Sequence, residues 1–167
     1  MNSLSIINYQ LENMTKFKPL YDIADGVKTR LEALSIFKAV NVAAISNGGQ
    51  IWLSKDLANK LPAAVVCVGN ADHESSGLVR NLAVLVIVID EFKGNTEAKA
   101  AGIWPLVDSV CASFMPQVTP GSVPDMPIID DVEYELKSFS PIESGERVVA
   151  FGIELNAAES ATCEIEE

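Results

Sequence analysis

The sequence predicts an α+β domain with a single mixed or antiparallel β-sheet covered by two main helices. Three observations lead there: two segments, 20–34 and 96–115, repeat apolar residues at helical spacing; β-branched runs without that spacing lie between them; and strict alternation fills the last third. The predicted order is helix, strand, strand pair, helix, strand pair, with no internal repeat.

The first helix rests on Leu20, Ile23, Ala24, Val27, Leu31 and Leu34, which share one stripe, while Asp22, Asp25, Lys28, Arg30 and Glu32 fall outside it. A weaker stripe, Leu4, Ile7, Leu11 and Met14, predicts an N-terminal arm or extra helix over 1–18, set apart by Pro19. Phe37 to Ile45 reads as a strand ending at the turn Asn47-Gly48-Gly49, and Asp56 to Lys60 as a short helical turn. Ala63 to Val68 reads as a strand buried on both faces, Gly69 to Gly77 as a polar loop, and Leu82 to Ile89 as a central strand. In the second helix Pro105 interrupts the pattern, so either a kink at Trp104 or a start near Pro105 is expected. Residues 116–127 hold four prolines and must loop. Val132, Tyr134 and Leu136 alternate with Glu133, Glu135 and Lys137, Pro141 to Glu146 turn the chain, and Val149, Phe151, Ile153 and Leu155 alternate on the return. Residues 1–158 thus read as one domain and 159–167 as a flexible acidic tail.

Composition narrows the function. With 167 residues a second domain is not expected, and 49% apolar against 21% charged residues suits a packed core. The net charge of −11 opposes specific nucleic-acid binding, which draws its affinity from Lys and Arg displacing counterions, and opposes an anionic membrane surface likewise. The longest apolar run, Leu82 to Ile89, is eight residues, where a membrane-spanning helix needs roughly twenty. Cys67, Cys111 and Cys163 are odd in number and widely spaced, which reads as reduced thiols in a cytoplasm.

No catalytic constellation stands out. His73 is the single histidine, in Asp72-His73-Glu74, and neighbours in a loop do not converge on one ion. Cys67 and Cys111 fall in apolar patterns where a thiol acts as a small hydrophobe. The pairs Asp130-Asp131 and Asp90-Glu91 stand at strand ends, positions where carboxylates are usually solvated. Gly48-Gly49 and Gly69 belong to no nucleotide-loop pattern. Trp52 and Trp104 read as core-edge residues or as anchors at a subunit boundary. No catalytic residue, cofactor or metal site is therefore expected.

The layout over about 20–155 carries a resemblance. A helix, then L-P-A-A-V-V-C-V-G, a polar loop, R-N-L-A-V-L-V-I-V-I-D, a helix ending D-S-V-C-A-S-F, and the closing hairpin E-L-K-S-F-S-P-I-E-S-G-E-R-V-V-A-F-G-I-E-L together resemble the tail terminator and tail-completion proteins of tailed bacteriophages. The resemblance implies a non-enzymatic virion protein, made in the host cytoplasm and then part of the tail. Its partners would be itself, in a ring commonly of six subunits, the tail tube protein, and the head–tail connector. Two other readings stay open: another head–tail joining or generic protein-binding module, and a small enzyme using His73 with Asp72 or Cys67.

Overall fold

A computed structural model describes residues 17–43, 55–92, 96–143 and 147–162. The predicted arm at Leu4 to Met14, the turn at Asn47-Gly48-Gly49, Trp52 and Cys163 lie outside the described residues.

Helix α1 spans Leu20–Ala33 and starts where Pro19 predicts, with the Pro19 carbonyl accepting the amides of Asp22 and Ile23. Its stripe Ile23, Ala24, Val27 and Leu31 is buried. Ser35 closes it in the left-handed region, φ 56°, its amide donating to the Glu32 carbonyl. Strand β1, Ala39–Val42, is followed by the short helix α2, Lys55–Ala58, and by β2, Ala63–His73. Strand β3, Val79–Glu91, pairs with β2; helix α3, Thr96–Ser113, follows. The chain closes with β4, Ile128–Ile129, β5, Val132–Ile142, and β6, Val148–Ser160.

The six strands form one mixed sheet in the order β1-β2-β3-β6-β5-β4. Only β1 and β2 run parallel. The two long helices cover one face, where Ile23, Val27, Leu31, Ile103, Val107, Val110 and Phe114 meet Val66, Leu82, Val84, Val86, Ile153 and Leu155. Burying each such side chain contributes about 1.5–3 kcal/mol. The opposite face has its own smaller cluster, with Leu57 of α2 over Ala63, Val65, Cys67, Ile87 and Ile89. Along β3 the two regimes are visible in sequence order: burial alternates from Arg80 to Leu85 and becomes continuous from Val86 to Asp90. Half of the outer face is therefore covered and half is open.

Four expectations need correction. Gly69 to Gly77 is mostly strand: β2 continues to His73 through a bulge between Val68 and Ala71, leaving a short turn in which Gly77 takes φ 69°. Gly, Asn and Asp have weak strand preference, but thirteen residues of β3 offer a continuous partner and override it. Pro141 does not begin the turn; β5 reaches Ile142, and proline is tolerated because β5 is unpaired on its outer side there among the described residues. Helix α3 does not start near Pro105 but runs through it from Thr96, held by its apolar contacts with the sheet. The acidic tail does not begin at 159: β6 extends to Ser160, and Ala161 still donates to the Leu78 carbonyl.

Candidate functional site

Two surfaces and one buried cluster hold the polar side chains of interest, and the sheet's curl positions all three. Although β4 lies at the edge opposite β1, its turn reaches α1. A Cβ built on Gly26 of α1 would stand 3.1 Å from Asp130 Oδ2 and 3.6 Å from Ile129 Cγ2, so a side chain there would crowd the hairpin. Beside this contact lies an open cleft of about 620 Å³. One wall is the α1 stripe Asp22, Asp25, Gly26, Thr29, Arg30 and Ala33; the other is Ile128 to Asp130.

Asp130 and Asp131 are the turn itself rather than the start of a strand. Ile129 pairs with Val132, leaving two loop residues at φ 50° and 64°, the left-handed pair that a tight hairpin demands. Aspartate tolerates that conformation through its short polar side chain. The Asp130 carbonyl accepts a hydrogen bond from Lys18 Nζ.

Lys18 leads into the buried cluster. Its amide donates to Glu159 Oε1 at 2.7 Å, and its carbonyl accepts from Arg80 Nη2 at 2.7 Å. Arg80 and Glu159, 9% and 4% exposed, are direct cross-strand neighbours on β3 and β6 and form an ion pair at 2.6 Å. The Arg80 guanidinium also lies over the Phe17 ring, 4.9 Å from its centroid, and Arg80 Nε is buried without a hydrogen-bond partner among the described residues. Tyr134, beneath this cluster and edge-on to Phe114, has its phenol pKa pushed up by burial and then by Asp130 and Glu159.

His73 is the last residue of β2, exposed and edge-on to Phe17 at 5.4 Å, so it is not a loop tip. Asp72 pairs with Asn81 and His73 with Arg80, which directs their side chains to opposite faces of the sheet. An Asp-His dyad cannot form from them in this geometry. Cys67 and Cys111 are buried on opposite faces, in the outer and the helix-side clusters respectively. Burial pushes both thiol pKa values up, helped at Cys111 by Asp108, which suppresses the nucleophilic thiolate. Asp90 is buried, its Oδ1 accepting the Glu91 amide. Trp104 is 56% exposed and thus no core-edge residue. Among the described residues no group of three His, Cys, Asp or Glu could hold a metal ion.

The second surface is the open half of the outer face. Strand alternation places Asp72, Glu133, Glu135 and Glu154 there, all exposed, with Asn81 and Asn156 between them. A shallow hollow of about 260 Å³ lies among Gly69, Asn70, Ala83, Leu85 and Glu154.

Sequence reasoning missed the Arg80–Glu159 pair, yet a signal existed. Arg80 is in phase with Leu82, Val84 and Val86, and Glu159 with Leu155 and Ala157, so opposite charges occupy apolar phases of two long strands. The cleft had no comparable signal, because it depends on the curl that brings β4 to α1. No known protein family matches the chain, and no curated protein matches its sequence.

Proposed function

We propose that this chain is a structural subunit of a phage tail, resembling a tail terminator, which closes into a ring on the tail tube and offers its other side to the head connector. The observation that carries the reading is the two-sidedness of the sheet. One face is sealed by α1 and α3, while the open half of the other presents the four carboxylates Asp72, Glu133, Glu135 and Glu154. Lys137, at the β5 bulge, is the one basic residue of that strand. Facing a lumen, such a surface repels passing DNA instead of holding it.

A ring of identical subunits needs two different complementary surfaces on each copy. Exposed apolar side chains are available for them: Trp104 on α3, Phe139 on β5, and Met115, Val118 and Val123 between α3 and β4. The reading also fits the raised thiol pKa values and the divergence of Asp72 from His73, neither of which supports chemistry. Light scattering and native mass spectrometry of the purified chain, alone and with tail tube subunits, test it. A ring-sized mass in either condition is expected; a monomer that never binds tube protein overturns the reading.

A further inference from the structure

We propose that Phe17 and Lys18 form a strap that opens as a unit while the sheet stays folded, uncovering the Arg80–Glu159 pair. The inference concerns the single chain and does not depend on the ring reading. Lys18 is tied to β6 through its amide on Glu159, to β3 through its carbonyl on Arg80, and to the β4–β5 turn through Nζ on the Asp130 carbonyl. Every one of these ties is polar. Phe17 lies against the Arg80 guanidinium and the His73 ring, and among the described residues it belongs to neither apolar cluster of the fold. A segment held without apolar burial comes from the low-stability end of a structure.

Closing the strap takes two charges out of water. A buried pair repays that desolvation only when its remaining donors are satisfied. Here Arg80 Nη2 serves both the Lys18 carbonyl and Glu159 Oε2, while Nε has no partner among the described residues. Opening returns water to Nε and to both charges, which offsets the two main-chain hydrogen bonds that are lost. The sheet need not part, because Arg80 and Glu159 stay cross-strand neighbours in the β3–β6 ladder. Pro19, whose carbonyl accepts the Asp22 amide, stays with α1 and is the hinge. Lys18 also lines the cleft between α1 and β4, so the same motion removes part of that wall.

Two measurements on the full-length chain test this. Hydrogen exchange compares the Lys18 amide with amides of the β3–β6 ladder. Lys18 is expected to be protected about a hundredfold less than the ladder, and Phe17→Ala to raise its rate about tenfold with the ladder unchanged. A shared rate, or an equal rise in the ladder, shows that the strap opens only with the whole fold and overturns the proposal. So does a Lys18 rate that Phe17→Ala leaves unmoved, since exchange then needs no opening. Phenylglyoxal, which modifies arginine side chains, reads the pair itself. The exposed Arg30 and Arg147 should react first. Arg80 should follow more slowly, and about tenfold faster in Phe17→Ala than in the parent chain. Arg80 left unmodified in both proteins after the exposed arginines are consumed overturns the strap.

Discussion

The two faces of the sheet are built from the same strands but obey different rules. On the helix side Leu82, Val84 and Val86 are sealed, and the charges that intrude, Arg80 and Glu159, are paired. On the open side the intervening residues Asn81 and Ala83 of β3 face Ala158 and Asn156 of β6 with no layer over them among the described residues. One face is constrained by packing, so a change there acts on stability. The other is free of that constraint, so its composition is left to interaction.

The largest expected effect comes from breaking the buried pair. Arg80→Met strands the Glu159 carboxylate and should cost about 3–5 kcal/mol in denaturant unfolding, whereas Arg80→Met with Glu159→Leu should recover most of it. Equal losses in single and double variants would show that the pair is not what holds this end of the sheet. Next, Leu82→Ala, on the helix side, should cost about 2–5 kcal/mol, while Asn81→Ala, one residue away on the open side, should stay within about 0.5 kcal/mol. A similar loss at both positions would erase the contrast between the faces.

Alkaline titration gives a smaller effect. Tyr134 has a raised pKa in the fold, so its neutral form is favoured there, and the fold binds more protons than the unfolded chain once pH passes the ordinary tyrosine range. The stability linked to Tyr134 is complete below about pH 10 and is lost as pH rises from there. Tyr134→Phe should flatten that part of the pH–stability curve; an unchanged slope would place Tyr134 in water. The smallest stability effect is expected from Glu135→Gln with Glu154→Gln, within about 0.5 kcal/mol. If the outer face serves the ring, the same pair of changes should still alter retention of DNA near the lumen, read as increased binding to a polyanion column.

The α+β class, the single sheet, expected as mixed or antiparallel, and the helix over 20–34 were legible because periodic burial leaves a mark in sequence. Val132, Tyr134 and Leu136 alternate as written, and β3 is the central strand its apolar run implies. What was hidden depends on contacts between distant segments. Asp72 and His73 become strand only because β3 is long enough to pair with them, and Glu159 is buried only because Arg80 stands across from it. Asp130 and Asp131 look like the solvated start of a strand until the pairing of Ile129 with Val132 turns them into the hairpin. The cleft was beyond sequence altogether, since no local pattern encodes that Gly26 meets the far edge of the sheet.

The hydrogen bonds from Lys18 to Glu159 and from Ala161 to Leu78 place the entrance and the exit of the described fold at a single corner. The polypeptide path is thereby almost a closed loop, the condition under which circular permutation is tolerated. Joining 162 to 17 through a short glycine linker and reopening the chain in the turn around Gly77 should leave the sheet order intact. Tethers, tags or neighbouring copies reached through either end must all approach from that one corner, so it acts as the pivot about which this subunit can be held.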